Sequence, residues 1–228
     1  MKTFLCQERC YSCGHLPIWN SLMARLSRTE KKEETRLALI HSAASSFARS
    51  GFEGSSIDTI AEDAGYSRGA FYSNFSSKDS IFLELLSMHL EAELTTLHKL
   101  IVKVETADEL VQKMQHRYRN LGRDSDYCLL YSEFQLYVMR GGRESDSCKK
   151  MFAAYRRRLS KIISECCERL DLELKISPYE FAASQLAIAH GLALQRVSDV
   201  SIRASLASEA MAIFMQGAIS TKDCSEGN

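Results

Sequence analysis

The chain has 228 residues, of which 45% are hydrophobic and 25% are charged, as in ordinary globular proteins of one or two domains. Its 29 basic and 29 acidic residues cancel, which excludes binding to nucleic acid through overall positive charge and leaves only a local patch for that purpose. No run of eighteen apolar residues occurs and no signal peptide is recognisable, so we expect a cytoplasmic protein without a membrane span.

Residues 1–22 show no sustained helical period and contain a cluster of cysteines. Cys6, Cys10 and Cys13 are followed by His15, a spacing that resembles a ligand set for a metal ion or an iron–sulfur cluster. Short cysteine motifs of this kind often bind nothing. Two interpretations are therefore open: a metal or redox site, or an extension that is disordered or created by the choice of start site.

From about residue 27 the sequence predicts four helices through their caps and stop signals. Ser27 and Glu30 have the spacing of a capping box, and Gly51 stands where a glycine ends the first helix. Each of the next three apolar periods follows a serine whose hydroxyl can cap the helix. These serines are Ser56 (or Ser55), Ser67 and Ser77.

After residue 103 the helical period continues to about residue 217 in five segments. Two prolines, eleven glycines and no alternating strand pattern favour an all-α fold. We predict a three-helix unit over residues 23–80 and a larger helical body over residues 81–228. The breaks within the body fall near Thr106, Gly122, Gly141–Gly142, Ser177–Pro178 and Asp199.

The second and third predicted helices indicate a helix-turn-helix. Ala61 and Gly65 lie four residues apart, where alanine allows a close helix crossing and glycine adopts the positive φ of the turn. An ordinary helical hairpin is the alternative, and the basic segment before the motif weighs against it. In a helix-turn-helix the start of the second helix enters the major groove of DNA. That start is formed by Ser67, Arg68, Gly69 and Ala70.

Arg68 is the residue best suited to read a base, because a guanidinium can pair with both O6 and N7 of guanine. Gly69, which lacks a side chain, permits close approach to the groove. Tyr72 and Asn74 are predicted to point outward and reach phosphates. Lys78 lies in the first turn of the fourth helix, where its charge opposes the helix dipole. We therefore interpret Lys78 as a phosphate contact, with a solvated surface lysine as the alternative.

The stretch "AGYSRGAFYSNFSSKDSIF" lies within residues 33–86, a segment that resembles the N-terminal domain of the TetR family of bacterial transcriptional repressors. The resemblance implies an all-α homodimer that binds an inverted-repeat operator and leaves it when a small molecule binds the C-terminal domain. It implies base contacts by Arg68, Gly69 and Ala70. The sequence departs from the common pattern at Phe71, where leucine is commoner, and at Asn74, where many members have histidine. The implied phosphate contacts are Ser56, Ser67, Tyr72, Asn74 and Lys78.

The resemblance also bears on the N-terminal cysteines. Many family members begin with a short basic arm before the first helix, and "MARLSRTEKKEETR", which starts at Met23, matches that description. It therefore favours residues 1–22 as an extension without ligands. The alternative is a redox- or metal-responsive regulator that uses Cys6, Cys10 and Cys13 on the same fold.

Aromatic side chains crowd two predicted helices of the body. Such stripes are more often plain core, but they can also line a largely apolar cavity. We expect a small-molecule effector there, with no cofactor or metal, and dimerisation through the helices at about 178–200 and 202–217. No spaced nucleophile–base pair suggests an enzyme. The residues predicted to line the ligand site are Tyr127, Tyr131, Phe134, Phe152 and Tyr155.

Overall fold

The computed structural model describes residues 27–121, 125–203 and 205–221. Over these residues the chain forms nine helices and one pair of three-residue strands, which confirms the all-α class. In chain order the elements are α1 (Arg28–Gly54), α2 (Ile57–Asp63), α3 (Arg68–Tyr72), α4 (Lys78–Ile101), α5 (Ala107–Leu121), α6 (Ser125–Met139), α7 (Ser145–Arg169), β1 (Leu172–Leu174), α8 (Pro178–Ser198), α9 (Leu206–Ala218) and β2 (Ile219–Thr221).

The first helix begins as its sequence predicts and breaks at the predicted glycine, Gly51, although a short helical stretch continues to Gly54. The Ser27 hydroxyl accepts a hydrogen bond from the Glu30 amide at 3.2 Å, and the Glu30 carboxylate accepts one from the Ser27 amide at 2.7 Å. The helix is interrupted at Gly51, whose φ of +72° lies in the left-handed region that favours glycine. A Cβ at this position would also lie 3.2 Å from the carboxylate of Glu133.

Serine caps start the next three helices, as predicted. The hydroxyls of Ser56, Ser67 and Ser77 accept hydrogen bonds from the backbone amides three residues further on, at 3.0, 3.2 and 3.0 Å. Each cap satisfies an amide that the first helical turn leaves without a partner. Short helices such as α2 and α3 depend on these caps and on their packing, because helices of one or two turns are not stable alone.

One continuous core joins the N-terminal helices to the body. The connecting helix α4 buries Ile81, Phe82 and Leu86 near its start and Leu97 and Ile101 near its end. It packs against α1 and α7, while α1 also packs against α6. The connecting helix therefore touches the N-terminal unit at one end and the body at the other.

The body differs from the sequence prediction in one detail, a small antiparallel sheet. β1 pairs with β2 so that Leu172 lies opposite Thr221 and Leu174 lies opposite Ile219. Strands of three residues are too short to show an alternating pattern, and their partners are far apart in the sequence. The predicted breaks near Thr106, Gly141–Gly142, Ser177–Pro178 and Asp199 match helix ends, whereas residue 122 lies outside the described residues.

Candidate DNA-binding surface and aromatic core

The turn between α2 and α3 has the geometry of a helix-turn-helix. Gly65 has φ +78°, and the Tyr66 amide donates to the Ala61 carbonyl at 2.9 Å. Ala61 is 1% exposed, so α3 crosses close to α2. Phe71 is fully buried beneath α3 and replaces the commoner leucine without leaving the core. The two helices therefore share one core with α1 and turn their other sides to solvent.

The solvent side carries the residues predicted to contact DNA. All eight lie at the start of α2, along and just after α3, or in the first turn of α4, and the structure thus brings them onto neighbouring elements. Their exposure separates them into two groups. Ser56, Ser67, Arg68, Gly69 and Tyr72 are exposed, whereas Ala70, Asn74 and Lys78 are half-buried.

Arg68, the first residue of α3, projects from this surface with 58% of its side chain exposed. Its Nη1 donates to Oδ2 and Oδ1 of Asp58 at 2.7 and 3.0 Å, and its Nη2 donates to the Tyr72 hydroxyl at 3.4 Å. The Tyr72 hydroxyl and the Asp58 carboxylate both raise the pKa of Arg68, so the guanidinium stays charged. An exposed, charged donor group at the start of the recognition helix suits contact with a base edge.

Lys78 has a structural role that the sequence analysis missed. Its Nζ donates to the carbonyls of Phe52 and Ser55 at 2.7 and 3.0 Å and lies 4.3 Å from the centre of the Phe52 ring. These carbonyls follow the break at Gly51 and need partners outside the helix. The sequence analysis weighed the charge of Lys78 only against the dipole of its own helix. A phosphate contact by Lys78 stays a prediction. Because Nζ already donates to two carbonyls, that contact would use the third N–H of the ammonium group.

Asn74 does not point outward as predicted. Its Nδ2 donates to the Ala70 carbonyl at 2.8 Å, and the side chain is half-buried. Its Oδ1 is buried and has no hydrogen-bond partner among the described residues. The amide thus binds the end of α3, because a residue just past a helix can satisfy one of the last carbonyls. A phosphate contact by Asn74 requires rotation of the side chain and remains a prediction.

Four of the five aromatic residues predicted to line a ligand site form an aromatic core in the body. Tyr131 and Phe134 of α6 are 4% and 0% exposed, and Phe152 and Tyr155 of α7 are 7% and 6% exposed. The rings of Tyr131 and Phe152 lie 5.8 Å apart. The side chain of Tyr127 lies outside the described part of the structure. These four residues are packed as core here, and ligand binding among them stays a prediction.

His190 of α8 extends the aromatic core. Its ring stacks on that of Tyr131, with 3.7 Å between ring centres and 6° between planes, and its Nδ1 lies 2.9 Å from the Leu186 carbonyl. Burial lowers the pKa of His190 to about 4 and raises the pKa of Tyr131 to about 12. Both side chains are therefore uncharged at neutral pH, as suits an environment for an apolar molecule.

A buried ion pair lies beside this core. Arg117 of α5 donates to Glu93 of α4, with 9% and 16% of their side chains exposed. Burial raises the pKa values of Tyr131 and Tyr155, and the charge of Glu93 raises both further, whereas Arg117 acts to lower the pKa of Tyr155. No motif indicated this pair, since the helical period places each residue on its own helix but does not say which helices meet.

A separate narrow cavity lies where the end of α4 meets α5, α7, α8 and α9. Its open volume is about 20 Å³, enough for a single water molecule. The lining is apolar except for the amide of Gln185, which is 2% exposed. The sequence analysis did not find this cavity, because its walls come from five helices. Lining residues include Leu97, Ile101, Met114, Ile163, Gln185 and Met215.

Two polar contacts and a cluster of rings join the N-terminal unit to α6. The Phe52 amide donates to Glu133 Oε2 at 2.9 Å, and the Tyr137 hydroxyl donates to Asp79 Oδ1 at 2.5 Å. The ring of Phe82 lies 4.6 Å from that of Phe134. Helix α6 thus carries Phe134 of the aromatic core and also binds the N-terminal unit directly. A shift of α6 would therefore move the DNA-binding surface through these direct contacts as well as through α4.

Two features are absent from the described residues. None of the helices there is long and apolar enough to cross a bilayer. No group of three or more His, Cys, Asp or Glu side chains in that part of the chain is arranged to hold a metal ion. Cys6, Cys10 and Cys13 lie outside the described residues.

Comparison with known proteins assigns the N-terminal unit. Residues 39–85 match the model of the bacterial regulatory proteins of the tetR family. The chain is also 25% identical over 182 residues to the HTH-type nicotine-responsive transcriptional repressor HdnoR of Paenarthrobacter nicotinovorans. That match covers 78% of this chain and 89% of the relative, so it extends well into the body.

Solved structures show the same fold over most of the chain. A TetR-family regulator from Rhodococcus sp. has a TM-score of 0.69 at 17% identity and covers 82% of this chain and 100% of its own. SmeT, the repressor of the Stenotrophomonas maltophilia multidrug efflux pump SmeDEF, has a TM-score of 0.60 at 16% identity and covers 86% and 96%. The matched segment identifies the N-terminal unit as the helix-turn-helix domain of the bacterial regulatory proteins of the tetR family, and the rest of the chain shares the fold of solved members of that family.

Proposed function

We propose that the protein is a transcriptional repressor that binds operator DNA through α3 and leaves it when a small molecule binds the body. The observation that carries the proposal is the surface around Arg68, where an exposed guanidinium stands at the start of the second helix of a helix-turn-helix. Family membership supports it, because the members are regulatory proteins, and we accordingly expect no enzymatic activity. The alternative of a redox or metal sensor is not favoured by the relatives found.

The active form in this proposal is a homodimer on an inverted repeat. The outer faces of α8 and α9 carry apolar side chains that the single chain leaves in solvent: Leu194 is 36%, Val197 55% and Ile213 70% exposed. Burying such a face against a second copy is favourable, and two-fold symmetry makes the same patch serve both chains. Two recognition helices about 34–36 Å apart would then enter successive major grooves.

The effector in this proposal is a mostly apolar molecule that binds at the aromatic core. HdnoR, the repressor relative, is named as responding to nicotine, which shows that a relative responds to a small organic molecule. An effector can shift the equilibrium only by its different affinity for the two conformations. Displacing Tyr131 or Phe134 would move α6, and α6 holds the N-terminal unit through Glu133 and Tyr137.

Arg68→Ala tests the DNA-binding part of the proposal. We expect operator binding to weaken by about 1–3 kcal/mol, because a bidentate base contact disappears. The preference for one base pair in each half-site should be lost with it. Arg49→Ala is the matched control: Arg49 is also an exposed arginine paired with an aspartate of α2, Asp63, at 3.1 Å. Arg49→Ala should leave the affinity unchanged or lower it by the same factor for every DNA sequence. Binding is measured on DNA with each operator base pair replaced in turn, and equal loss of preference in both variants would contradict the assignment.

Tyr131→Ala and Gln185→Leu together locate the effector site. If the effector binds at the aromatic core, Tyr131→Ala should abolish the response of operator binding to a compound panel, while Gln185→Leu should leave it intact. The reason is that Tyr131 stacks in that core, whereas Gln185 belongs to the separate narrow cavity. Folding of both variants is checked by circular dichroism. The reverse outcome would place the site in the narrow cavity, and an unchanged response in both would rule out both locations.

A further inference from the structure

Asp58, which no DNA-contact assignment includes, holds the side chain of Arg68. Both Asp58 carboxylate oxygens accept from the same nitrogen, Nη1, at 3.0 and 2.7 Å. On the other side, Nη2 donates to the Tyr72 hydroxyl at 3.4 Å, and Arg68 Cζ lies 5.6 Å from the centre of the Tyr72 ring. The guanidinium is thus held between α2 and the end of α3, although it is exposed.

This arrangement leaves one edge of the guanidinium open. A guanidinium carries five N–H donors, and its contacts with Asp58 and Tyr72 are made by Nη1 and Nη2 respectively. Among the described residues, no hydrogen bond is made by Nε of Arg68. The Nε–H and one N–H of Nη2 point in parallel from the same edge of the group. This pair is the fork that matches O6 and N7 of a guanine.

The position of Asp58 is otherwise unfavourable for a DNA-binding surface. Its side chain is 53% exposed beside α3, where a carboxylate repels the phosphates of bound DNA. It is nevertheless well fixed, because it lies in the first turn of α2, where the helix dipole favours a negative charge. An anchored carboxylate that lowers affinity for every sequence makes physical sense if it improves discrimination between sequences.

We propose that Asp58 is a specificity-determining residue that positions Arg68 so that its Nε/Nη2 edge faces the base. The inference rests on the proposed function, in which Arg68 reads a base pair. Without Asp58, the long arginine side chain can also swing to a phosphate, a contact that carries no sequence information. Asp58 thus lowers the affinity for DNA of every sequence and strengthens the preference for one base pair in each half-site.

The test compares Asp58→Ala with Asp63→Ala in the full-length chain. Asp63 is the matched control because it also lies on α2 and pairs with an exposed arginine, Arg49, at 3.1 Å. The probe is a duplex selected from a random library by the parent protein, together with variants that replace each base pair in turn and one unrelated duplex. Circular dichroism and thermal unfolding confirm that each variant is folded.

We expect Asp58→Ala to lower discrimination about tenfold at the base pair that Arg68→Ala identifies, within the range of a single base-pair preference. Affinity for the unrelated duplex should rise severalfold, because a negative charge has gone. Asp63→Ala should raise that affinity similarly while keeping discrimination within about twofold. In an Arg68→Ala background, Asp58→Ala should change discrimination no further, since the two residues act as one unit.

Three outcomes would overturn the inference. Discrimination could be unchanged in Asp58→Ala, it could fall equally in Asp63→Ala, or it could fall again when Asp58→Ala is added to Arg68→Ala. Failure of the proposed function looks different: the parent protein itself would bind all duplexes in the library alike. A purely structural role for Asp58 would lower thermal stability without changing the ranking of the duplexes, which would also contradict the inference.

Discussion

Ile213→Glu is expected to convert the protein to a monomer and to lower operator affinity by about a hundredfold or more. Ile213 is 70% exposed on α9, and α9 packs against α8, which carries the exposed Leu194 and Val197. A dimer would bury this side chain against its symmetry mate, where two unpaired carboxylates are costly. Once the dimer is lost, binding at one half-site no longer raises the effective concentration at the other. Light scattering gives the mass, and operator binding gives the affinity.

Met139→Glu is the control for this prediction. Met139 is 80% exposed at the end of α6, so the same change of an apolar side chain to a carboxylate is made away from the proposed dimer face. This variant should keep the mass and operator affinity of the parent. The dimer assignment would be wrong if Ile213→Glu stayed dimeric at micromolar concentration, or if Met139→Glu dissociated equally.

Phe82→Ala is expected to lower the free energy of unfolding by about 3–5 kcal/mol, as for large aromatic residues deleted from a core. Phe82 is fully buried, and its ring lies 4.6–5.1 Å from four others. Two belong to the N-terminal unit and two to α6, so the cavity would open where the unit joins the body. Chemical denaturation measures the loss. The four neighbouring rings are those of Phe47, Phe52, Phe134 and Tyr137.

Phe82→Leu provides the comparison. Leucine keeps much of the apolar volume but loses the ring contacts, so we expect a smaller loss of about 1–2 kcal/mol. In Phe82→Ala the N-terminal unit is held less rigidly. Operator binding by this variant should therefore weaken by more than its unfolded fraction accounts for. A loss in Phe82→Ala that is no larger than in Phe82→Leu would show that the junction does not depend on the ring cluster.

Local sequence signals predicted most of the N-terminal unit. Ser27, Ser56, Ser67 and Ser77 cap helices as expected, and Gly51 interrupts the first helix. Such signals act within a few residues, so they do not depend on the rest of the fold. The strand pair was missed for the opposite reason, because α8 and α9 separate β1 from β2 in the sequence and only the tertiary fold brings the two strands together.

The candidate site was predicted less evenly. The sequence identified Arg68 as an exposed side chain, but it did not reveal the carboxylate of Asp58 that holds it. Helical spacing assigned Asn74 to the outside, whereas the structure turns its amide onto the Ala70 carbonyl. Lys78 appeared unfavourable beside its own helix dipole. The structure explains the lysine through carbonyls of another helix, which no reading of a single helix can supply.

The sequence by itself determined the helical class, the helix-turn-helix and the residues at the start of α3, because caps, glycine turns and apolar periods are local properties of the chain. Only the tertiary structure decided which side chains meet across helices. Asp58 with Arg68, Glu133 with Phe52 and Tyr131 with His190 are examples. The physical reason is that a helical period fixes the face on which a residue lies, while the packing of whole helices fixes what that face touches.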